Sequence, residues 1–270
     1  MAAPVSAAEE KLRAGDLPAC LLELQAAVRR NPAEPKTRIF LAQLLMVLGD
    51  WDRALTQLNV IAEMDASAIP MTRAYSAAIQ CERLRASILK GERSPLIFGD
   101  PQPWLALVVQ GLAALAAGRT EQADAIRAEA FDAAPATAGS LNGTAFEWIA
   151  DADSRLGPIL EVLLNGAYYW VPFARIAAIQ FEPPADLRDL VWLPAQFTWA
   201  NGGEAVGFIP TRYAGTETAE DSALRLSRKT EWTPIGSEAF AGRGQRVLAT
   251  SADEVPLLEV RELRLTQEPV

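Results

Sequence analysis

Several residue types and patterns are scarce in this sequence of 270 residues, and each absence excludes a class of function. Histidine is missing altogether, which excludes Ser-His-Asp and Cys-His catalysis and every metal site built on imidazole. No run of 18 or more apolar residues occurs, so no segment is expected to span a membrane. The N-terminal residues lack a basic region followed by a long apolar core, so no signal peptide is predicted and we expect a cytoplasmic protein.

Positive charge is also in short supply. The net charge is −9, and acidic residues outnumber basic ones in both halves of the chain. A nucleic-acid binder needs a positive surface to replace the counterions on phosphates, and an acidic membrane surface would repel this chain. Nucleic acid and membrane insertion are therefore excluded, and proteins or small molecules are left as partners.

Cysteine occurs only twice, at Cys20 and Cys81, both within helical patterns. Two isolated cysteines inside amphipathic segments are typical of reduced, core-facing thiols in a reducing compartment. No disulfide, metal site or cofactor is predicted from them.

The first half of the chain contains a repeat. Gly15-Asp16-Leu17 recurs 34 residues later as Gly49-Asp50-Trp51, and a weaker copy, Gly118-Arg119-Thr120, follows after about twice that interval. A period of 34 residues is that of tetratricopeptide (TPR) repeats, in which a glycine forms the turn between two antiparallel helices. Small residues recur on each second helix, and proline ends the first and third units: Cys20, Ala54 and Ala123; Pro32 and Pro135.

The pattern predicts seven helices, followed by a breaker-rich linker over residues 135–143. TPR arrays characteristically present a concave groove that binds a peptide or helix. Apolar spacing alone also fits another α-helical bundle, and the repeat period favours the TPR interpretation. The predicted helices cover residues 7–14, 17–30, 36–48, 51–65, 71–91, 104–117 and 121–133, with an irregular loop over residues 92–103.

The second half, residues 144–270, has strand signals and five of the seven tryptophans. Asn165-Gly166 between two β-rich segments predicts a hairpin over residues 159–171. A second hairpin is predicted over residues 190–210, with a short helix at 220–228 and strands at 245–250 and 257–265. Residues 174–181 fit a helix or a strand. The fold class predicted is therefore α+β, with a TPR-like helical domain at residues 1–134 and a small α+β domain with an antiparallel sheet at residues 144–270.

Residues 146–158 carry the densest group of polar side chains. Glu147, Asp151 and Asp153 with Arg155 suggest either a divalent-cation site or a carboxylate-based hydrolase. The segment lacks the glycine and distal glutamate of an EF-hand loop. A helix-to-strand junction in which aspartates cap backbone amides and Arg155 pairs with a carboxylate is the favoured interpretation.

Two further features of the second half could indicate binding of a phosphate or of a protein partner. The GRGQ segment, residues 242–245, lacks the Lys-Ser/Thr pair of a phosphate loop and is predicted as a turn entering a strand. Arg and Trp are enriched among interface hot spots, so basic and aromatic positions of the second half are candidates for partner binding. The predicted set is Trp148, Asp151, Arg155, Trp192, Arg228, Lys229 and Trp232.

Six segments in this half, taken in order, resemble the ImpE/SciE (TagJ) family of bacterial type VI secretion accessory proteins. That family also has a TPR-like N-terminal region, so the resemblance covers nearly the whole chain. The segments are residues 147–158 (EWIADADSRLGP), 168–173 (YYWVPF), 183–192 (PPADLRDLVW), 210–213 (PTRY), 228–232 (RKTEW) and 244–246 (GQR).

The resemblance implies a cytoplasmic, non-enzymatic adaptor without a cofactor. It further implies an association with the tail sheath, the small sheath protein in particular, and through it with the ClpV-type ATPase that disassembles contracted sheath. It carries over no catalytic residues. A hydrolase using the carboxylates described above stays the alternative, and a general TPR co-chaperone is disfavoured because its basic carboxylate clamp is not evident.

Overall fold

The computed structural model describes residues 4–267, in which seven α-helices precede a region rich in strands. Each predicted helix is present, with its ends shifted by no more than three residues. The helices are α1 (Pro4–Arg13), α2 (Leu17–Arg30), α3 (Pro35–Leu48), α4 (Trp51–Met64), α5 (Ile69–Leu89), α6 (Pro103–Ala116) and α7 (Thr120–Ala133).

The repeated glycines form the predicted turns between paired helices. Gly15, Gly49 and Gly118 have φ angles of 78°, 72° and 73°, in the left-handed region that glycine adopts without strain. Asp16 and Asp50 follow the first two glycines and accept hydrogen bonds from the opening turns of α2 and α4. The recurring small residues on the second helices are fully buried, as close helix packing requires. The TPR-like prediction is confirmed.

The second half contains most of the strands and one short helix, α8 (Ser222–Arg225). The strands are β1 (Leu96–Ile97), β2 (Gly139–Leu141), β3 (Thr144–Phe146), β4 (Ile149–Asp151), β5 (Ile159–Leu164), β6 (Ala167–Pro172), β7 (Ile176–Phe181), β8 (Trp192–Trp199), β9 (Glu204–Pro210), β10 (Thr230–Pro234), β11 (Phe240–Gly244), β12 (Val247–Thr250), β13 (Glu254–Pro256) and β14 (Glu262–Leu265).

Nine of these strands form one sheet in the order β1-β6-β5-β9-β8-β7-β14-β2-β3, and the others form a two-stranded and a three-stranded sheet. All pairs are antiparallel except β1 with β6, which is parallel. Both predicted hairpins are present as β5–β6 and β8–β9. Helical repeats followed by this sheet confirm the α+β fold class.

Four segments differ from the sequence predictions. The strand predicted at residues 257–265 begins only at Glu262, because Leu257–Glu259 form a turn of 3-10 helix. The segment 135–143, predicted as a linker, contains β2, which pairs with β3 through the turn residues Asn142 and Gly143. The loop 92–103 contains β1, which adds a short parallel edge to β6. Residues 230–234 and 240–244 form the hairpin β10–β11, which was not predicted, and Gly242 of the GRGQ segment lies within it.

One hydrophobic core includes residues of both halves. Leu45 of α3 and Ile79 of α5 belong to the same buried cluster as Leu163, Trp170 and Trp192 of the sheet. A second cluster fills the opposite face of the sheet and consists of residues from the second half with Phe98 against it. Whether residues 1–134 and 144–270 fold as separate domains stays a prediction.

Cys20 and Cys81 are both buried and unpaired, as predicted. Burial raises the pKa of each thiol to about 11, and a nearby acidic side chain adds to the rise. Both thiols therefore stay protonated and unreactive at neutral pH. Among the described residues, no helix combines the length and apolarity needed to cross a bilayer.

Candidate functional site

A buried ion network joins the helical half to the sheet. Arg85 of α5 donates from Nε and Nη2 to the two carboxylate oxygens of Glu161 on β5, each at 2.7 Å. Both side chains are fully buried. Such bidentate pairing fixes position and orientation together, so it holds α5 in one place over the sheet.

Glu161 has further partners on the strand side. Arg246 and the Tyr168 hydroxyl both donate to its carboxylate, and Trp170 donates to the Tyr168 oxygen at 2.7 Å. Burial alone would raise the pKa of Glu161, but Arg85 and Arg246 outweigh it and hold that pKa well below its usual range. The carboxylate is therefore charged and saturated with donors, which leaves it no free lone pair for chemistry.

Asp151 shares Arg246 with Glu161. Arg246 donates to both carboxylates from separate nitrogens, and the Tyr213 hydroxyl donates to Asp151 at 3.1 Å. Burial, with additional repulsion from Asp153, raises the pKa of Asp151 to about 6 although Arg246 opposes the rise. The network thus contains one carboxylate whose pKa is lowered, Glu161, and one whose pKa is raised, Asp151.

Arg212 ties the sheet region to α3. Its guanidinium donates to the carbonyls of Val47 at 2.7 Å and Met46 at 3.0 Å, in the last turn of that helix. A cation at a helix C-terminus satisfies the free carbonyls and complements the helix dipole. Trp192 adds a further tie, because its indole N–H donates to Glu82 of α5 at 2.9 Å.

The inner face of the repeats is consequently covered by the second half of the same chain. Gln43 of α3 donates to Asp186 at 3.4 Å, and Arg228 donates to the carbonyls of Leu12 and Arg13 at the end of α1. The helices α1, α3 and α5 are the first helices of their units, which in TPR arrays line the concave groove. The groove expected to receive a peptide is therefore occupied from within the molecule.

The polar cluster predicted over residues 146–158 is part of the interior. Asp153 accepts from Arg155 Nε at 2.9 Å and from the Gly242 amide at 2.9 Å, and Asp151 accepts from the Asp153 amide at 2.9 Å. Glu147 is exposed and lies apart from the buried pair. The carboxylates cap amides and pair with arginine, and they do not converge on a cavity. Among residues 4–267, no group of three or more acidic or thiol side chains is arranged to hold a metal ion.

The structure separates the predicted partner-binding residues into two groups. Trp192, Asp151 and most of Arg155 are buried, so they can influence a partner only by shaping the surface above them. Trp148 and Trp232 keep 42% and 37% of their surface exposed. As a set, these residues stay a prediction.

The exposed members lie in different surroundings. Trp232 lies on β10 with its ring 5.6 Å from that of Tyr213. Lys229 pairs with Asp221 and Glu231. Arg228 donates its hydrogen bonds to carbonyls at the end of α1. Trp148 and Trp232 are therefore the more accessible members of the set.

Sequence reasoning missed an apolar groove between α5 and β9. It encloses about 480 Å³ and its floor is formed by Leu163 and Phe208. Val206 stands at its rim with 72% of its surface exposed, the largest fraction among the exposed large hydrophobic residues of the described chain. The hairpin signal that predicted β9 did not reveal this groove, because the helix that forms its other wall is distant in sequence. The remaining lining residues are Arg73, Ala74, Ala77, Ala78, Cys81, Asn165, Gly166 and Gly207.

A second hollow of about 340 Å³ lies on the other side of Val206. Tyr75 and Arg188 form one wall, with the guanidinium 4.5 Å above the Tyr75 ring, and Pro194 and Gln196 of β8 form another. Val206 is the residue that lines both hollows.

Comparison with known proteins agrees with both halves of the fold. The family model described as ImpE protein matches residues 143–264, and a tetratricopeptide repeat model matches residues 11–76. The type VI secretion system accessory component TagJ of Pseudomonas aeruginosa is 50% identical over 256 residues, covering 95% of this chain and 90% of that protein. A crystal structure of a Vibrio parahaemolyticus protein superposes with a TM-score of 0.87 at 23% identity, covering 97% and 98% of the two chains, which supports the fold.

Proposed function

The chain belongs to the ImpE family, and on that premise we propose that it is a non-enzymatic accessory component of a bacterial type VI secretion system. The observation that carries this proposal is the 50% identity to the Pseudomonas aeruginosa accessory component over 95% of the chain. Identity at that level, extended through both halves, supports a shared role as well as a shared fold.

We propose that the protein works in the cytoplasm by binding tail-sheath subunits, the small sheath protein in particular, and by linking them to the ClpV-type ATPase. The family resemblance supports these partners, and the TPR repeats support a role in protein–protein contact. The acidic balance of the chain fits protein partners better than nucleic acid.

The buried state of the carboxylates supports a non-enzymatic role over the hydrolase alternative. General acid–base catalysis needs carboxylates that reach a substrate in a concave site. Here Asp151, Asp153 and Glu161 are buried and paired with arginines or backbone amides, and Glu147 lies apart from them on the surface.

Pull-down with purified components tests the proposal. The immobilised protein is expected to retain the small sheath subunit, and to retain the ATPase only when that subunit is present. A matched column bearing an unrelated acidic TPR protein controls for charge and for generic repeat binding. Failure to retain either sheath subunit or the ATPase would contradict the proposed role.

A further inference from the structure

Strand β9 extends beyond its neighbour β5. β9 pairs with β8 at seven positions, from Glu204 to Pro210, but with β5 at one position, Leu163 with Phe208. β5 ends at Leu164, where the chain turns into β6. The N-terminal part of β9 therefore has a strand neighbour on one side only within the described chain.

The register shows where the backbone groups of this part point. Antiparallel neighbours alternate between pairs that exchange both main-chain hydrogen bonds and pairs that exchange none. Pro194 of β8 pairs with Phe208 and has no N–H, so this pair is one of those that exchange no main-chain hydrogen bonds. In agreement, the N–H of Trp199 donates to the carbonyl of Gly203 at 2.8 Å. The odd-numbered residues of β9 therefore form the pairs that exchange hydrogen bonds with β8, and the even-numbered residues form the pairs that do not. Val206 therefore directs its N–H and C=O away from β8.

Glu204 has the same parity as Val206 and directs its backbone the same way. Two consecutive outward positions on an edge provide up to four main-chain hydrogen-bonding groups in the place that β5 would fill if it were longer. An edge of this kind is a template for an added strand.

The apolar groove lies beside this open edge. Asn165 and Gly166, at the turn that ends β5, line the groove together with Val206. A strand continuing the line of β5 would place alternate side chains on the helical side of the sheet, because successive side chains point to opposite faces. One of those side chains would enter the space between Ala77 and Phe208.

Two charges mark the edges of the site. Arg73 of α5 lines the groove, and Glu204 is exposed on the strand. Neither forms an ion pair within residues 4–267, whereas Arg188 and Arg246 do. A partner segment that carries one acidic and one basic residue around an apolar one would match both charges.

We propose that this edge and groove bind an extended segment of a partner protein, which adds to the sheet as a strand next to Glu204–Val206. The segment has an apolar side chain that fills the groove, with an acidic residue facing Arg73 and a basic residue facing Glu204. The identity of the partner as a sheath subunit rests on the proposed function, and the site itself rests on the register and the groove.

Substitutions at Val206 test the site. Val206→Pro removes one outward N–H without removing a hydrogen bond to β8, and proline is tolerated at strand edges. Val206→Asp places a charge at the mouth of the groove. Leu22→Asp is the matched control, since Leu22 is 64% exposed and lies on α2, which contributes no residue to the lining of the groove. Unchanged thermal unfolding of the three variants establishes that they are folded.

Binding of the purified small sheath subunit is measured by titration calorimetry, with hydrogen exchange of the complex as a second readout. Both Val206 variants are expected to bind at least tenfold more weakly than wild type, and Leu22→Asp is expected to bind like wild type. In the wild-type complex, the amides of Glu204 and Val206 are expected to exchange more slowly than in the free protein.

The outcomes separate the two proposals. If wild type and both Val206 variants bind equally, or if protection falls on Trp148 or Trp232 and not on β9, the docking site is overturned and the accessory role stands. If Val206→Asp weakens binding but Val206→Pro and the edge amides are unaffected, the groove binds a helix and strand addition is overturned. If wild type binds neither sheath subunit, the proposed function fails and the strand donor assigned here fails with it.

Discussion

The helical half and the strand-rich half of this protein are specified by different kinds of information. In the helical half, many helix ends have a local cause, such as a left-handed glycine or an aspartate cap. In the second half, the decisive contacts join residues far apart in sequence, such as Arg246 with Asp151 and Arg85 with Glu161. The comparison teaches that the repeats determine their own local structure, whereas their packing depends on charges supplied by the other half.

Separating the two halves is expected to have the largest effect on folding. We expect residues 1–134, expressed alone, to keep a helical circular-dichroism spectrum but to lose a cooperative thermal transition. The reason is that the inner face of α3 and α5 belongs to a core shared with the sheet, and Arg85 would lose Glu161 and keep only Glu82 as a partner. Residues 135–270, which retain β2 of the sheet, are expected to aggregate or unfold in isolation.

Mixing the two fragments controls for damage caused by the cut, because a restored cooperative transition would show that the interface alone was missing. A sharp transition in each isolated fragment would establish two independent domains and would show that the shared core adds little.

Neutralising the centre of the network is the next largest change. Glu161→Gln removes the carboxylate that Arg85 and Arg246 share and leaves them only Glu82 and Asp151, and removing one partner of a buried ion pair costs about 3–5 kcal/mol. Urea unfolding followed by fluorescence measures the loss. Glu262→Gln, which breaks an exposed pair with Arg264, is the matched control and is expected to leave the unfolding midpoint unchanged. Equal midpoints for both variants would show that the network contributes no more than a surface pair.

Gly118 and Gly49 form equivalent turns between paired helices, but only Gly49 lies against a residue of the second half. Gly118→Ala introduces left-handed strain alone, since no atom lies within 4 Å of the added Cβ, and we expect a loss of about 1–2 kcal/mol. Gly49→Ala adds a clash, because its Cβ would lie 2.6 Å from the Cβ and Cγ of Glu217 in the second half. The additional loss is expected to be about 1–3 kcal/mol by thermal unfolding. Equal losses of stability in the two variants would show that contact with Glu217 does not restrict the Gly49 turn.

The smallest predicted effect is a pH dependence from Asp151. The folded pKa of about 6 lies above the ordinary value of 3.8, so between these values the folded state holds a proton that the unfolded state has released. The contribution of Asp151 to stability is therefore present below about pH 4 and falls as the pH rises through 6. The stability of wild type relative to Asp151→Asn is expected to decline over that range in urea titrations. An increase would mean that Arg246 lowers the Asp151 pKa.

Much of the fold could be predicted because its signals are local. Glycine, proline and small residues at the TPR period located seven helices, and Asn165-Gly166 located a hairpin. The same dipeptide at Asn142-Gly143 forms the β2–β3 turn but lay inside a stretch that resembled a linker. Its flanking strands are three residues each, too short to show alternation in the sequence.

The site was less predictable because burial of charge depends on distant partners. The helix-to-strand junction predicted at residues 146–158 was wrong, because this segment joins strands β4 and β5. The expected capping of amides by aspartate and the pairing of Arg155 with a carboxylate are present, since those contacts are two residues apart. No local pattern announces that Glu161, in a strand of apolar neighbours, meets an arginine 76 residues earlier. The groove at Val206 was missed for the same reason, as its walls come from α5 and β9.

The self-covered inner face of the repeats has a consequence for synthesis of the chain. Translation proceeds at roughly 5–20 residues per second, so the strands that cover α3 and α5 follow on the order of ten seconds after those helices leave the ribosome. During that interval Leu45 and Ile79, which are buried in the finished protein, have no sheet to pack against. The Arg85 side chain also lacks the carboxylate of Glu161. The order of the two halves along the chain therefore leaves apolar surface of the nascent helical repeats exposed until the second half has been synthesised.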